Sequence, residues 1–163
     1  SGVLRTSAYS LSIWLRSFLN NFPTLLHNSS SIDEMLHIFP QESYMNMSDA
    51  QFGLIWFWKA YGKRRLLGHT GSVPGIATVM VTNEQRNIGL IVLTNGDVTR
   101  RDAQAIQVLD TIGELTNELF DCFETYPNSN SGIRLKLNLI HFSWLIHIFY
   151  YFSSNLRMSL VQE

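Results

Sequence analysis

The sequence predicts an α+β fold in which an antiparallel sheet is flanked by helices. Apolar residues repeat at helical spacing near both ends of the first 125 residues, and apolar runs of strand length lie between them. The links between these runs are shorter than the dozen or so residues that a parallel crossover needs, so neighbouring strands must be antiparallel. A chain of 163 residues with 45% apolar content is long enough to bury a sizeable core.

Two helices are predicted before the sheet. The first spans residues 8–19, with Ser7 as its N-cap. Its apolar face consists of Leu11, Trp14, Leu15, Phe18 and Leu19. The second begins at Ser31, because Ser31 and Glu34 have the spacing of a capping box, and it ends before Pro40. Its predicted buried side consists of Met35, Leu36 and Phe39. Residues 41–50 are polar and are predicted to form a loop.

Four strands are predicted next. Residues 52–58 are apolar at successive positions, which favours a strand covered on both faces. Core packing is the preferred role for at least one of Trp56 and Trp58 in this run, although an indole could also stack on a substrate. The chain turns at residues 61–63 and returns over residues 64–70. Two further strands, residues 76–82 and 88–94, complete the sheet.

A long helix and an apolar tail follow the sheet. The helix is predicted over residues 102–123, and its apolar stripe consists of Ile106, Leu109, Ile112, Leu115, Leu119 and Phe123. We place one domain at residues 1–125, a polar linker at 126–132 and a tail at 133–163. The least interrupted part of the tail, residues 139–152, is shorter than the roughly 20 residues that span a bilayer. Three alternatives remain for the tail, namely a marginal membrane helix, an appended amphipathic helix, or no fixed structure.

Composition excludes several classes of function. A net charge of -1 gives no electrostatic basis for binding nucleic acid. Cys122 is the single cysteine, so no internal disulfide can form. The histidines lack metal-ligand spacing, since His141 and His147 are too far apart for the i, i+4 pattern on one helical face. We therefore predict no metal and no cofactor.

The stretch from Gly68 to Gly75 is the candidate site. His69, Thr70, Gly71 and Ser72 extend a predicted strand with polar groups. Strand N–H groups can face a ligand there, and a glycine removes the side chain that would block close approach. A short pattern of this kind is also compatible with an ordinary hairpin corner.

Three segments in the same order resemble the serine β-lactamase and penicillin-binding-protein family. Residues 2–8 are similar to its Gly-Leu-x-Ser-Thr-Ala helix entry, residues 68–75 to its third motif, and residues 89–96 to its last strand and turn. The resemblance covers residues 1–124 and implies the C-terminal portion of a β-lactamase/transpeptidase-like fold. The His-Thr-Gly form of the third motif resembles the esterase and peptidase branch related to class C β-lactamases.

The resemblance also implies roles for the site residues. His69, Thr70 and Ser72 would be catalytic, with Gly71 and Ser72 binding substrate. Thr70 would orient the substrate through its hydroxyl, and the Ser72 N–H would be one of two donors to the oxyanion. Imidazole is only partly cationic near neutral pH, so His69 should hold an anionic group less firmly than the family's usual lysine. Penicillin hydrolysis is therefore not the first expectation.

The nucleophile motif of the family is absent from these 163 residues. No serine stands three residues before Lys59, Lys63 or Lys136, so there is no Ser-x-x-Lys. Residues 44–46 spell Tyr-x-Asn, but they follow the first helix, whereas the family places this motif before it, and we interpret them as a coincidence in a loop. An isolated chain of this kind should not catalyse acyl transfer, because the reactive hydroxyl and its base are missing.

Two hypotheses follow for function. In the first, the chain is the C-terminal portion of a serine hydrolase that cleaves an ester, amide or lactam through an acyl-enzyme. Its partners would be a small-molecule, peptide or ester substrate and a missing N-terminal half of the same domain. In the alternative, it is a non-catalytic β-lactamase-like module for binding or membrane-tethered interaction, with membrane contact through the tail. The sequence does not determine the compartment.

Overall fold

A computed structural model describes residues 4–20, 28, 30–39, 50–125 and 146–152. Within these ranges, six strands form one antiparallel sheet whose spatial order follows the sequence. The elements are α1 (Ala8–Leu19), α2 (Ser30–Leu36), β1 (Ala50–Phe52), β2 (Phe57–Tyr61), β3 (Arg64–Val73), β4 (Ile76–Asn83), β5 (Ile88–Thr94), α3 (Ala103–Thr125) and β6 (Ile146–Phe152). Helices α1 and α2 lie on one face of the sheet and α3 lies on the other, so the predicted α+β class is confirmed.

Helix α1 has the predicted bounds and cap. The Ser7 side chain accepts a hydrogen bond from the N–H of Ser10 and so satisfies one free donor of the first turn. Leu15 and Phe18 are buried against the sheet, as their helical spacing predicts. The helical spacing of apolar residues was sufficient to predict α1 because its single apolar stripe packs against a single sheet.

Helix α2 begins earlier than predicted. The side chain of Asn28 accepts from the N–H of Ser30, so Ser31 lies inside the helix and does not cap it. Ile32 is the buried residue of this helix, while Met35 is only half-buried. Phe39, which was predicted to be buried, lies after the helix end and is 46% exposed.

The predicted strand over residues 52–58 is wrong, because a hairpin turn divides it. The N–H of Gly53 donates to the carbonyl of Trp56, and the N–H of Leu54 donates to the carbonyl of Met35 in α2. These bonds remove residues 53–56 from the sheet and leave Leu54 67% exposed. Trp56 is buried and stacks on Phe18 at 4.2 Å between ring centroids, which confirms the prediction that at least one of Trp56 and Trp58 packs in the core.

The two faces of the sheet carry separate cores. On the α1 and α2 side, Leu67 and Ile91 pack with Leu15 and Phe18. On the α3 side, residues of β3, β4 and β5 alternate with these and pack against the buried stripe of α3. That stripe consists of Ala105, Val108, Ile112, Leu115, Leu119, Phe120 and Phe123.

Helix α3 departs from its predicted stripe in the first turns. Ile106 and Leu109 were predicted to be buried, but they are 56% and 53% exposed. Ala105 and Val108 face the sheet instead, because these positions continue the stripe of Ile112 at the three- and four-residue spacing. The carboxylate of Asp102 caps the helix by accepting from the N–H of Ala105.

Part of the tail, residues 146–152, forms a strand, a structure that is none of the three alternatives predicted for the tail. β6 pairs with β5 over seven residues, from Ile88 opposite Phe152 to Thr94 opposite Ile146. The apolar run therefore covers the outer edge of β5, whose backbone groups would otherwise lack partners. No helix within the described ranges is long and apolar enough to cross a bilayer. The predicted loop covered residues 41–50, of which residue 50 lies in β1 and the others lie outside the described residues, as does the predicted linker at 126–132.

Candidate functional site

The candidate residues lie where β3 extends past its neighbour β2. The last register pair between these strands is Phe57 with Gly68, while β3 continues to Val73. Among the described residues, β3 from His69 onward is paired with β4 on one side only. Residues 69–73 are all exposed. The His-Thr-Gly-Ser stretch therefore forms a strand edge that is open within the described part of the chain.

The register determines which backbone groups point to this open edge. A two-residue turn closes the β3–β4 hairpin, so Val73 and Ile76 form its terminal hydrogen-bonded pair. Hydrogen-bonded and non-hydrogen-bonded pairs alternate in an antiparallel ladder. The pair of Ser72 with Ala77 is therefore of the second kind, as is the pair containing Thr70. The N–H and C=O groups of Thr70 and Ser72 point away from β4, toward the side on which β2 has ended.

The candidate side chains divide between the two faces of the sheet. His69 is the register partner of Met80, which packs on the α1 side. Thr70 is the register partner of Val79, which packs on the α3 side. By alternation, Gly71 shares the face of His69 and Ser72 shares the face of Thr70. The structure therefore brings the four residues together along one edge, but it does not bring the His69 and Thr70 side chains to the same face.

The β3–β4 turn beyond Ser72 lies beside the turn that follows β5. Gly75 has a φ of +79°, a conformation that favours glycine. Asp97 accepts hydrogen bonds from the Thr99 hydroxyl at 2.6 Å and the Thr99 N–H at 2.8 Å. Hydrogen bonds from Thr99, and a further one from the Gly75 backbone, lower the pKa of the Asp97 carboxyl. The Asp97 carboxylate thus stabilises its own turn, close to the β3–β4 turn at this end of the sheet.

Two glycines of the motif allow close packing between β3 and β4. A Cβ at Gly68 would lie 2.3 Å from the carbonyl oxygen of Met80, which as a backbone atom cannot move aside. A Cβ at Gly71 would lie 2.9 Å from the hydroxyl of Thr78, and that hydroxyl donates to the Gly71 carbonyl at 3.3 Å. The packing of β3 against β4 therefore favours glycine at these positions, and glycine also leaves room for a ligand.

An aromatic ring at the start of β2 borders the site, a contact that sequence reasoning missed. The ring centroid of Phe57 lies 6.0 Å from that of the His69 imidazole, with the ring planes tilted by 46°. Phe57 is also 6.2 Å from Phe52 in an edge-to-face contact. Neither contact could be derived while residues 52–58 were interpreted as one strand. The signal that could have separated them is Gly53, a residue that often marks a turn.

One hollow among the described residues lies away from the candidate edge. It is shallow, has a volume of about 240 Å³ and is lined by Ser31, Glu34, Met35, Phe39 and Leu54. The described residues contain no cluster of three or more His, Cys, Asp or Glu side chains that could bind a metal ion. The Tyr-x-Asn sequence at residues 44–46 lies outside the described ranges.

Comparison with known proteins supplies the family. A family model described as Beta-lactamase matches residues 1–112. The chain belongs to the β-lactamase family. The match includes α1, the candidate edge and the first part of α3, so the resemblance found in the sequence is confirmed. Neither the curated proteins nor the solved structures gave a match. This β-lactamase-family chain thus has a serine-hydrolase-like fold whose third motif lies on an open strand edge.

Proposed function

We propose that this chain forms the strand-edge part of a serine hydrolase site, which cleaves an ester, amide or lactam through an acyl-enzyme. The observation that carries the proposal is the open edge at Thr70 and Ser72, whose backbone groups point away from β4. Family membership supports it independently, because serine hydrolases of this family use the third-motif strand in acyl transfer.

The chemistry assigns separate roles to the edge residues. A serine hydroxyl attacks the substrate carbonyl carbon, the carbonyl π electrons move to its oxygen, and a base takes the serine proton. The Ser72 N–H stabilises the resulting oxyanion as one of two donors. Collapse of this intermediate expels the protonated leaving group, and water then releases the acyl group. His69 donates a hydrogen bond to the substrate, Thr70 orients it, and Gly71 leaves room for the acyl group to lie along β3.

The nucleophile and its base come from polypeptide other than these 163 residues, since the chain contains no Ser-x-x-Lys. We propose the N-terminal half of the same domain as this partner. The apolar side chains in the β1–β2 turn suit such a contact, because Leu54 and Ile55 are 67% and 58% exposed on a backbone fixed by hydrogen bonds.

A non-catalytic module is the second candidate, and the same missing motif favours it. An open strand edge can bind an extended peptide through main-chain hydrogen bonds without any reaction. Such a module would keep the edge but form no acyl-enzyme. Covalent labelling therefore separates the two candidates.

The test is labelling of the full-length natural protein with a fluorophosphonate and with a fluorescent penicillin. We expect labelling, and we expect Ser72→Pro to slow it by about 100-fold or more, because proline lacks the N–H donor to the oxyanion. Ser72→Ala keeps the N–H and should stay within about threefold of the wild type. Thermal melting of both variants verifies that they fold. Absence of labelling in the wild type would favour the non-catalytic module.

A further inference from the structure

The strand β6 carries a row of backbone groups that no other described strand uses. It pairs with β5 on one side and is the terminal strand of the sheet among the described residues. Hydrogen-bonded pairs alternate from the β3–β4 turn outward, so His147, Phe149 and Tyr151 bond to β5. The N–H and C=O groups that point away from β5 are those of Ile146, Ile148, Tyr150 and Phe152. We refer to these four residues as the outer edge of β6.

The sequence of β6 does not protect this outer edge. Exposed edge strands of soluble proteins commonly carry a charged residue or a proline, which prevents another strand from pairing with them. Neither is present in Ile146–Phe152. A further strand can therefore join the outer edge through main-chain hydrogen bonds.

The outer edge is complementary to itself. When two copies of β6 pair antiparallel about a two-fold axis at Phe149, Ile148 lies opposite Tyr150 of the second copy and Ile146 lies opposite Phe152. Each of the four outward-pointing residues then joins a hydrogen-bonded pair, and none is left over. The axis is perpendicular to the sheet, so both copies present their α1 helices on the same side.

An apolar flank of α1 borders the same edge. Helix α1 contacts β5 and β6, and Phe18 stacks on Trp56 toward the β1–β2 turn. At about 100° per residue, Tyr9 lies about 180° around the helix from Phe18 and Ile13 lies about 140° from it, so both lie on the flank toward β6. Tyr9 and Ile13 are 54% and 53% exposed.

The spacing of the strands suits two α1 helices side by side. Strands in a sheet lie about 4.8 Å apart, so the line midway between β5 and β6 lies about 10 Å from its equivalent in a paired second copy. Packed helices lie about 8 to 10 Å apart. Because α1 contacts both strands of this pair, the two α1 helices would meet through Tyr9 and Ile13 when the two β6 strands pair.

We infer that β6 and α1 form a homodimer interface, in which a second copy of this chain pairs its β6 with the outer edge of β6 and packs its α1 against α1. The two six-stranded sheets then become one continuous sheet. The candidate edge at residues 69–73 faces the β2 side, away from β6, so it stays accessible in both copies. The inference does not depend on the proposed function.

The first test is sedimentation equilibrium of the full chain. It uses a Leu54→Asn/Ile55→Asn background, which removes the exposed apolar pair of the β1–β2 turn as a second route of association. We expect a monomer–dimer equilibrium. Ile148→Pro removes an outward N–H from each copy and should raise the dimer dissociation constant at least about tenfold, whereas Ile148→Ala should stay within about threefold. The Ile148 N–H does not bond to β5, so this proline leaves the monomer folded.

The α1 contact is tested in the same background. Tyr9→Ala with Ile13→Ala should raise the dissociation constant at least about tenfold, because apolar area that the dimer buries is lost from both copies. Ile106→Ala with Leu109→Ala removes exposed apolar side chains from α3, on the other face of the sheet, and should leave the constant unchanged. Thermal melting at concentrations below the dissociation constant verifies that each monomer folds.

Cysteine cross-linking tests the register, with Cys122→Ser so that one thiol remains. Across the axis the two Cα atoms of residue 149 lie about 4.5 Å apart, within the range of a disulfide. Phe149→Cys should therefore give a covalent dimer on mild oxidation. His147→Cys lies on the same face of β6, but its Cα is about 14 Å from its equivalent, so it should stay monomeric on a denaturing gel.

A chain that stays monomeric at every concentration in the asparagine background would overturn the inference. A dimer whose dissociation constant is the same in Ile148→Pro as in Ile148→Ala would also overturn it, because its interface would lie elsewhere. Cross-linking at residue 147 as fast as at residue 149 would contradict the two-fold register.

Discussion

Asp121 shows how single charges hold the sheet and α3 together at the end opposite the candidate edge. Its carboxylate accepts from the Lys63 ammonium at 2.8 Å and from the Arg64 guanidinium. Arg64 also donates to Glu124 at 2.8 Å. The Lys63 contact first, and then that of Arg64, lower the pKa of Asp121 from 3.8 to about 2. The β2–β3 turn is thus linked to the last turns of α3 by ionised groups.

This lowered pKa predicts a pH-dependent contribution to stability. A carboxyl with a depressed pKa in the folded state stabilises the fold above its ordinary pKa and loses that contribution as the pH falls toward its folded-state pKa. We expect Asp121→Asn to lower the melting temperature at pH 7, with the difference shrinking as the pH falls below about 4 and lost only below the folded-state pKa of about 2. Thermal melting across this range provides the measurement.

The control for this prediction is Glu118→Gln, which neutralises an exposed carboxylate on the same helix. It should change the melting temperature little at either pH. A constant difference between wild type and Asp121→Asn from pH 7 to pH 2 would show that the ion pairs with Lys63 and Arg64 do not contribute to stability.

Among the elements, sequence reasoning succeeded where one local pattern determines one structure. α1 was predicted correctly because its cap and its stripe agree, and β4 and β5 because short polar links bound two apolar runs. It failed at residues 52–58, where every residue except Gly53 has an apolar side chain, so that periodicity carries no information. Hydrogen bonding to α2, which is distant in the sequence, fixes the turn in which Leu54 is exposed and Trp56 is buried. Secondary-structure propensities contain no information about such contacts.

The site was predicted only in part for a similar reason. The stretch 68–72 and its strand were found from the sequence, and both its glycines fit the close approach of β4. The edge is open because β2 begins only at Phe57. The sequence prediction missed this start because it placed no turn within residues 52–58. The roles of His69, Thr70, Gly71 and Ser72 remain predictions.

The pairing of β6 with β5 gives a prediction that depends only on which way each backbone N–H group points. Alternation of paired groups across the sheet places the N–H of Phe149 toward β5 and the N–H of Ile148 away from it. Phe149→Pro should therefore destabilise the protein by about 1 to 3 kcal/mol more than Phe149→Ala, because a ladder hydrogen bond is lost. Ile148→Pro should differ little from Ile148→Ala.

Chemical denaturation of these four variants measures the effect. Proline at the two positions would be equally harmful if residues 146–152 formed a helix, because a helix interior uses every N–H. Equal losses at both positions would therefore contradict the strand. A loss confined to Phe149→Pro would support the pairing with β5.

At the scale of the whole molecule, apolar surface remains after both faces of the sheet are covered. We expect this chain on its own to associate in a concentration-dependent manner, because Leu54 and Ile55 are exposed side by side in a fixed turn. Sedimentation velocity measures the association. Substituting both residues by asparagine should shift the chain toward monomer, whereas Ile106→Asn with Leu109→Asn on α3 should have less effect.

A monomeric wild-type chain with a sharp, cooperative melting transition would contradict this expectation. It would also weaken the case that the β1–β2 turn awaits another part of the domain. The labelling experiment on the full-length protein is independent of that outcome.

The extent of α3 bears on where the protein can be divided. The family match ends at residue 112, in the middle of a helix that continues to Thr125. A truncation at that boundary would discard Leu115, Leu119 and Phe120, which are buried against the sheet. It would also remove the carboxylates that bind Arg64. A recombinant protein that ends at residue 112 would thus lose the second half of the helix that covers the α3-side core. Insolubility of that protein would give no information about the intact chain.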